Sequence, residues 1–392
     1  MNSAGSDTAE KSFLLHAARV GVGTEAFAPE LLAQVKQWEN LFLLAAQHSV
    51  TPLLHHALSP QVAGEIPVEA NKHRRVSSRV LLLRNAQLSA LLGEILDLLE
   101  NNGISVIPFK GPVLAYQLYG QIPLRSSVDL DILIRAQELL RTIKLLQGRG
   151  FQTDCPGDPT QQAAYLRARN ELHFAREGSF AIELHQAFLP AFNRFTYDYD
   201  GLWGRVRRVR FNERDVLMMP PEDLMLVLCA HGAKHLWGRI GWICDIARLL
   251  VRYQEEINWS IIDKLASSLG ARRMVLLGVF LAYELLNAPL PGPILLRAKS
   301  DKTVIRLATH VSEVWRMSTT HSLGFLGAHL FFLRARERIR DRVSYCAHLM
   351  FCPTEQDHAI FPLPRILRGF YYPLHTLRVG AACAMASLNR SP

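Results

Sequence analysis

Asp129 and Asp131 stand two residues apart in RSSVDLDILI (125–134), a stretch whose other residues are mostly apolar or β-branched. Side chains alternate across a strand, so both carboxylates face one way while Val128, Leu130 and Ile132 face the other. Two like charges side by side repel, and they call for a cation between them. Glu183, in FAIELHQAF, is a third acid flanked by apolar residues on a later predicted strand. Three hard oxygen ligands on neighbouring strands form the arrangement that holds one or two Mg²⁺ ions. His185, two residues after Glu183, projects from the same strand face as a base, an orienting group or a packing residue.

Lys110-Gly111-Pro112 precedes the aspartates at a strand-turn-helix junction. Glycine lets a backbone approach a phosphate closely, a helix N-terminus offers free N–H groups, and Lys110 adds positive charge. Arg125 is a further candidate phosphate contact. His231 and His235 are four apart on a predicted helix and share a face, with Lys234, Trp242 and Asp245 on the same segment. The zinc-protease pattern HExxH fails, because Gly232 occupies the position of the catalytic glutamate. These five residues are candidates for packing or for contacts to a bound ligand.

The elements that must position these side chains follow from hydrophobic period. Residues 30–102 carry Leu at three- and four-residue intervals and read as helices, the last closed by Gly103. ISVIPFKG (104–111) reads as a strand, PVLAYQLYG as a helix opened by Pro112, VDLDILI as a strand and AQELLRTIKLLQGRG as a helix. ELHFA and FAIELHQAF form a hairpin across Glu177-Gly178-Ser179, and VRRVRF with DVLMM forms another. A helix begins at Pro221 with Glu222 and Asp223 in its first turn, and helices continue to about residue 350. The fold class is therefore α+β, a small mixed sheet flanked by N-terminal and C-terminal helical regions. The expected divisions are 1–102 (helical), 103–219 (catalytic), 220–350 (helical) and 351–392, an irregular arm rich in proline and aromatic residues.

Composition sets the outer limits. The 392 residues are 49% hydrophobic and 20% charged, an ordinary globular balance that argues against disorder. A formal charge of +9 favours an anionic partner: nucleotide, nucleic acid or membrane surface. The arginine runs RRVSSR, RVRRVR and RARERIRDR suggest nucleic acid, but alternation and interleaved acids make solvated faces the simpler reading. The six cysteines (155, 229, 244, 346, 352, 383) include no CxxC pair, so reduced thiols in a cytoplasmic protein are expected. MNSAGSDTAEKSFLLHAARVG has early acids and no long apolar core, which argues against a signal peptide. The greasiest run, from Met274, is broken by Glu284 and falls short of a membrane span.

The pieces GISVIPFKGPVLAYQLYG, LRSSVDLDILI, IELHQAF, CAHGAKHLWGRIGWICDIARLL and FPLPRILRGFYYPLHTLR together resemble the uncharacterised bacterial nucleotidyltransferase family, within the superfamily of DNA polymerase beta. The usual Gly-Ser or Gly-Gly of that superfamily's phosphate loop is here Lys110-Gly111. The resemblance implies a catalytic trio of Asp129, Asp131 and Glu183 holding two Mg²⁺ ions, with Mn²⁺ as the alternative metal. Lys110, Gly111 and Arg125 would bind an NTP donor. A nucleoside monophosphate would pass to an acceptor, a small molecule, peptide or protein before a tRNA, with release of pyrophosphate. Two other readings are a nucleotide-sensing module that transfers nothing and a tRNA-directed, toxin-like transferase.

Overall fold

The computed structural model describes residues 3–388 apart from 60–63, 157–161, 163–164, 167–168, 190–196, 317–324, 354–356, 358–359 and 361–364. Four strands form a mixed sheet in the order β1-β2-β4-β3: β1 (Ile107–Pro108), β2 (Asp129–Leu133), β3 (Glu171–Phe174) and β4 (Ala181–His185). β1 is antiparallel to β2, β2 is parallel to β4, and β3 folds back antiparallel on β4. The α+β class with helical flanks holds.

Helices precede and interleave with the strands: α1 (Ser3–Val22), α2 (Trp38–Gln47), α3 (Thr51–Ala57), α4 (Val68–Glu100), α5 (Gly111–Tyr119) and α6 (Leu139–Gly148). One face of the sheet is wholly apolar. Leu130, Ile132, Leu172, Phe174, Ile182 and Leu184 are buried in one cluster with α4 and α6. On α4 the stripe Leu88, Leu92, Ile95 and Leu99 recurs at helical spacing and is fully buried. Each such side chain contributes about 1.5–3 kcal/mol by leaving water, so this face anchors the sheet and frees the other for chemistry.

Only two residues of the expected first strand pair with a neighbour. Pro108 has no N–H to give a ladder, and Phe109 N–H ends the pairing by donating to the Asp131 carbonyl at 3.2 Å. After a short helix α7 (Tyr199–Arg205), the second hairpin forms from β5 (Arg207–Phe211) and β6 (Arg214–Met218). Then come α8 (Pro221–Lys234), α9 (Ile240–Arg252), α10 (Trp259–Leu269) and α11 (Arg272–Leu286), the last built from the greasy run. Their core is continuous with the N-terminus: Phe13, Leu14 and Leu54 share a second cluster with Ile243 and Leu281. No helix among the described residues is long and apolar enough to cross a membrane.

The tail differs from expectation, because Tyr371–Leu388 is a helix rather than part of an irregular arm. Pro373 stands in its first turn, where a missing N–H breaks no helical hydrogen bond, and no proline follows within it. The arginine runs are partly consumed internally. Arg205 pairs with Asp223, Arg338 donates to the carbonyls of Ser267 and Ser268, and Arg342 donates to that of Arg336.

Candidate active site

Register assembles the polar face of the sheet. Asp131 lies opposite Glu183 and Leu133 opposite His185, while on the far side Glu183 faces His173 and His185 faces Glu171. The tripeptide Glu-Leu-His occurs twice, at 171–173 and 183–185. Antiparallel pairing sets each glutamate against the other copy's histidine and sends Leu172 and Leu184 into the core. His185 Nε2 lies 3.2 Å from Asp131 Oδ1 and 3.5 Å from Glu183 Oε2, and its Nδ1 lies 3.5 Å from Glu171 Oε2. His173 Nδ1 is 3.6 Å from Glu183 Oε1. Sequence reasoning missed Glu171 and His173, although the repeated tripeptide flanking a hairpin turn carried the signal.

Lys110 supplies a cation on this face, donating from Nζ to Asp131 Oδ1 at 2.7 Å. It is the N-cap of α5, whose first residue, Gly111, has φ +63°. A Cβ there would stand 3.2 Å from the Asp129 carbonyl oxygen, so glycine lets the helix start against β2. Burial opposes ionisation of Asp131, yet Lys110 and His185 hold its carboxyl well below the usual range. Asp129 behaves oppositely: burial, then the charges of Asp131 and Glu183, push its pKa up to about 6. Burial lowers the affinity of Lys110 and His185 for protons, but the surrounding carboxylates outweigh it and raise both.

The opposite wall comes from α8 and α9. His231 and His235 are tilted at 55° to each other with their ring centroids 4.6 Å apart, and Trp242 lies 5.5 and 5.2 Å from them. Burial and nearby cations keep both imidazoles neutral, His235 titrating at about 4. The turn joining α8 to α9 holds Leu236 and Trp237 at φ +57° and +53°, a conformation that non-glycine residues rarely adopt. The Trp237 indole fills the space beside Gly232, where a Cβ would meet it at 2.5 Å. Gly232, which removed the zinc-protease reading, is therefore a packing requirement.

Arg125 meets Asp245 rather than empty space. Its Nε and Nη2 donate to the two Asp245 oxygens at 3.0 Å each, and Nη1 donates to Ser127 Oγ at 3.2 Å. Lys234 reaches Glu171 Oε1 at 3.4 Å. Every residue singled out in the sequence lines one cavity of about 460 Å³: Lys110, Gly111, Arg125, Asp129, Asp131, Glu183, His185, His231, Lys234, His235, Trp242 and Asp245. Arg239, also unremarked in the sequence, joins them and lies over the Trp242 ring at 5.5 Å.

The donor set suits a divalent cation. Oxygens of Asp131 and Glu183 and a ring nitrogen of His185 lie within 4.8 Å of one another. Asp129 shares the face but lies outside this group, so among the described residues the clustered donors are two carboxylates and an imidazole. A small mixed sheet with paired strand aspartates lies beside a lysine-glycine helix start and between helical flanks. The family described as uncharacterised nucleotidyltransferase matches residues 34–287, more than half of the chain and all of the cavity, and the chain belongs to that family. No curated protein and no solved structure matches it.

Proposed function

We propose that the chain moves a nucleoside monophosphate from an NTP, ATP included, to an acceptor hydroxyl and releases pyrophosphate. The convergence of Asp131, Glu183, His185 and the Lys110-Gly111 helix start on one cavity carries this reading. Asp131, Glu183 and His185 would hold a divalent ion, with Asp129 adding charge beside them. That ion, Mg²⁺ or Mn²⁺, supplies neutralisation of the phosphate charge that builds in the transition state. Lys110 and the backbone of Gly111 at the start of α5 receive the β- and γ-phosphates.

The acceptor oxygen forms a bond to the α-phosphorus as the bond from that phosphorus to the bridging oxygen breaks. Pyrophosphate carries away the electron pair, and Glu183 takes the hydroxyl proton. Glu183 suits this role because its side chain is 22% exposed toward the cavity, against 1% for Asp131. The neutral rings of His231, His235 and Trp242, set at angles to one another, offer an aromatic wall for a base or acceptor. A small molecule, peptide or protein acceptor is favoured over tRNA by the internal use of Arg205, Arg338 and Arg342. Use of an NTP donor is in keeping with the cytoplasmic location expected from the reduced cysteines.

The test is incubation with each α-labelled NTP, Mg²⁺ or Mn²⁺ and cell lysate, followed by separation of RNA, protein and small molecules. Label should enter one fraction with wild type and none with Asp131→Asn. Measurable NTP binding with label in no fraction would instead favour a sensing module.

A further inference from the structure

We infer that His185 Nε2 is a metal ligand, oriented by Glu171 as a positioning residue, and that this nitrogen tilts the site toward Mn²⁺-like ions over Mg²⁺. The inference rests on the metal-assisted reading above and adds to it which ion, and through which outer residue. His185 is 3% exposed and bounded on three sides. The Phe109 ring meets it edge-on at 4.9 Å, Nε2 faces the oxygens of Asp131 and Glu183, and Nδ1 faces Glu171 Oε2. Glu171 is itself held, by Asn170 Nδ2 at 3.0 Å and by Lys234 Nζ at 3.4 Å from the neighbouring α8.

A neutral imidazole has one N–H and one lone pair, and with Nε2 3.2 Å from Asp131 Oδ1 the ring donates its N–H there as long as no cation lies between them. A divalent ion between the carboxylates would take the Nε2 lone pair and leave the N–H on Nδ1, 3.5 Å from Glu171 Oε2, the carboxylate–histidine–metal relay seen where a ligand ring must not rotate. The ladder pairing Glu171 with His185 makes this relay a property of the backbone register. Mg²⁺ strongly prefers oxygen donors in a near-ideal octahedron, whereas imidazole suits transition metals. A site with one nitrogen among its three clustered donors therefore discriminates against Mg²⁺.

The experiment measures Mn²⁺ binding to the full chain without nucleotide, by the electron paramagnetic resonance signal of free Mn²⁺, with Mg²⁺ as competitor. Glu171→Gln keeps the shape and should weaken Mn²⁺ binding about tenfold or more. His185→Asp exchanges nitrogen for oxygen and should lower the ratio of Mn²⁺ to Mg²⁺ affinity, a change that lost packing alone would not produce. Circular dichroism confirms that each variant is folded, and the wild-type ratio stands should either fail to fold. Equal Mn²⁺ affinity in wild type and Glu171→Gln, an unchanged ratio in His185→Asp, or a wild-type site that binds Mg²⁺ as tightly as Mn²⁺ would overturn the inference. Mn²⁺ binding as described, with no nucleotidyl transfer in any fraction, would leave the metal assignment standing and remove only the proposed reaction.

Discussion

Asp129 shows what the site demands of single residues. Its pKa, about 6 against an ordinary 3.8, is raised by burial and then by two neighbouring carboxylates. The folded state therefore binds a proton more tightly than the unfolded state, and stability from this group falls as pH rises from about 4 through 6. Above that range the ionised carboxylate is a constant cost. Asp129→Asn should thus gain melting temperature relative to wild type as pH goes from 4 to 7 and hold that gain at pH 8, in metal-free buffer. A difference independent of pH would show that the charge is not strained. Residue types at strand spacing made Asp129, Asp131 and Glu183 visible in the sequence, because period two is a local property. Glu171 was not visible, since its role depends on which residue faces it across a ladder. Arg125 was readable as a cation, but its partner Asp245 comes 120 positions later and only the fold brings them together.

At the scale of elements, the junction between β1 and α5 decides whether the phosphate cradle forms. Gly111 combines a positive φ with a close approach to the Asp129 carbonyl. Gly111→Ala should lower stability by about 1–3 kcal/mol in denaturant titration and weaken NTP binding at the same time, because strain and displacement fall on one helix start. Unchanged binding with reduced stability would separate the cradle from the glycine. The lysine-glycine-proline order made this junction legible, whereas the length of the first strand was not. Pro108 reads as an apolar strand residue until its missing N–H is counted. Likewise the helix in the tail was hidden by its prolines, most of which precede it.

At the scale of the molecule, the helical cluster backs the cavity that the sheet's polar face opens into, and the Arg125–Asp245 pair crosses from the loop before β2 to α9. The side chains are 15% and 4% exposed, so neither charge is well solvated when alone. Asp245→Ala should destabilise the chain by about 3–5 kcal/mol in equilibrium unfolding, and the double change Arg125→Met with Asp245→Leu by distinctly less. Equal losses would mean that the pair does not act as a unit. Composition and charge fixed little at this scale, since +9 is compatible with several anionic partners. The helical wall of the cavity became assignable only when α8 and α9 were seen to face the carboxylates.

Transfer of the α-phosphoryl group, with its nucleoside, is the central claim, and label position tests it most directly. Wild-type chain and Asp131→Asn would each be incubated with α-labelled and γ-labelled NTP, and the acceptor fraction counted. The expected result is α-label in the acceptor and γ-label in pyrophosphate with wild type, and neither with the variant. Entry of γ-label into the acceptor, or α-label transfer undiminished in Asp131→Asn, would contradict it.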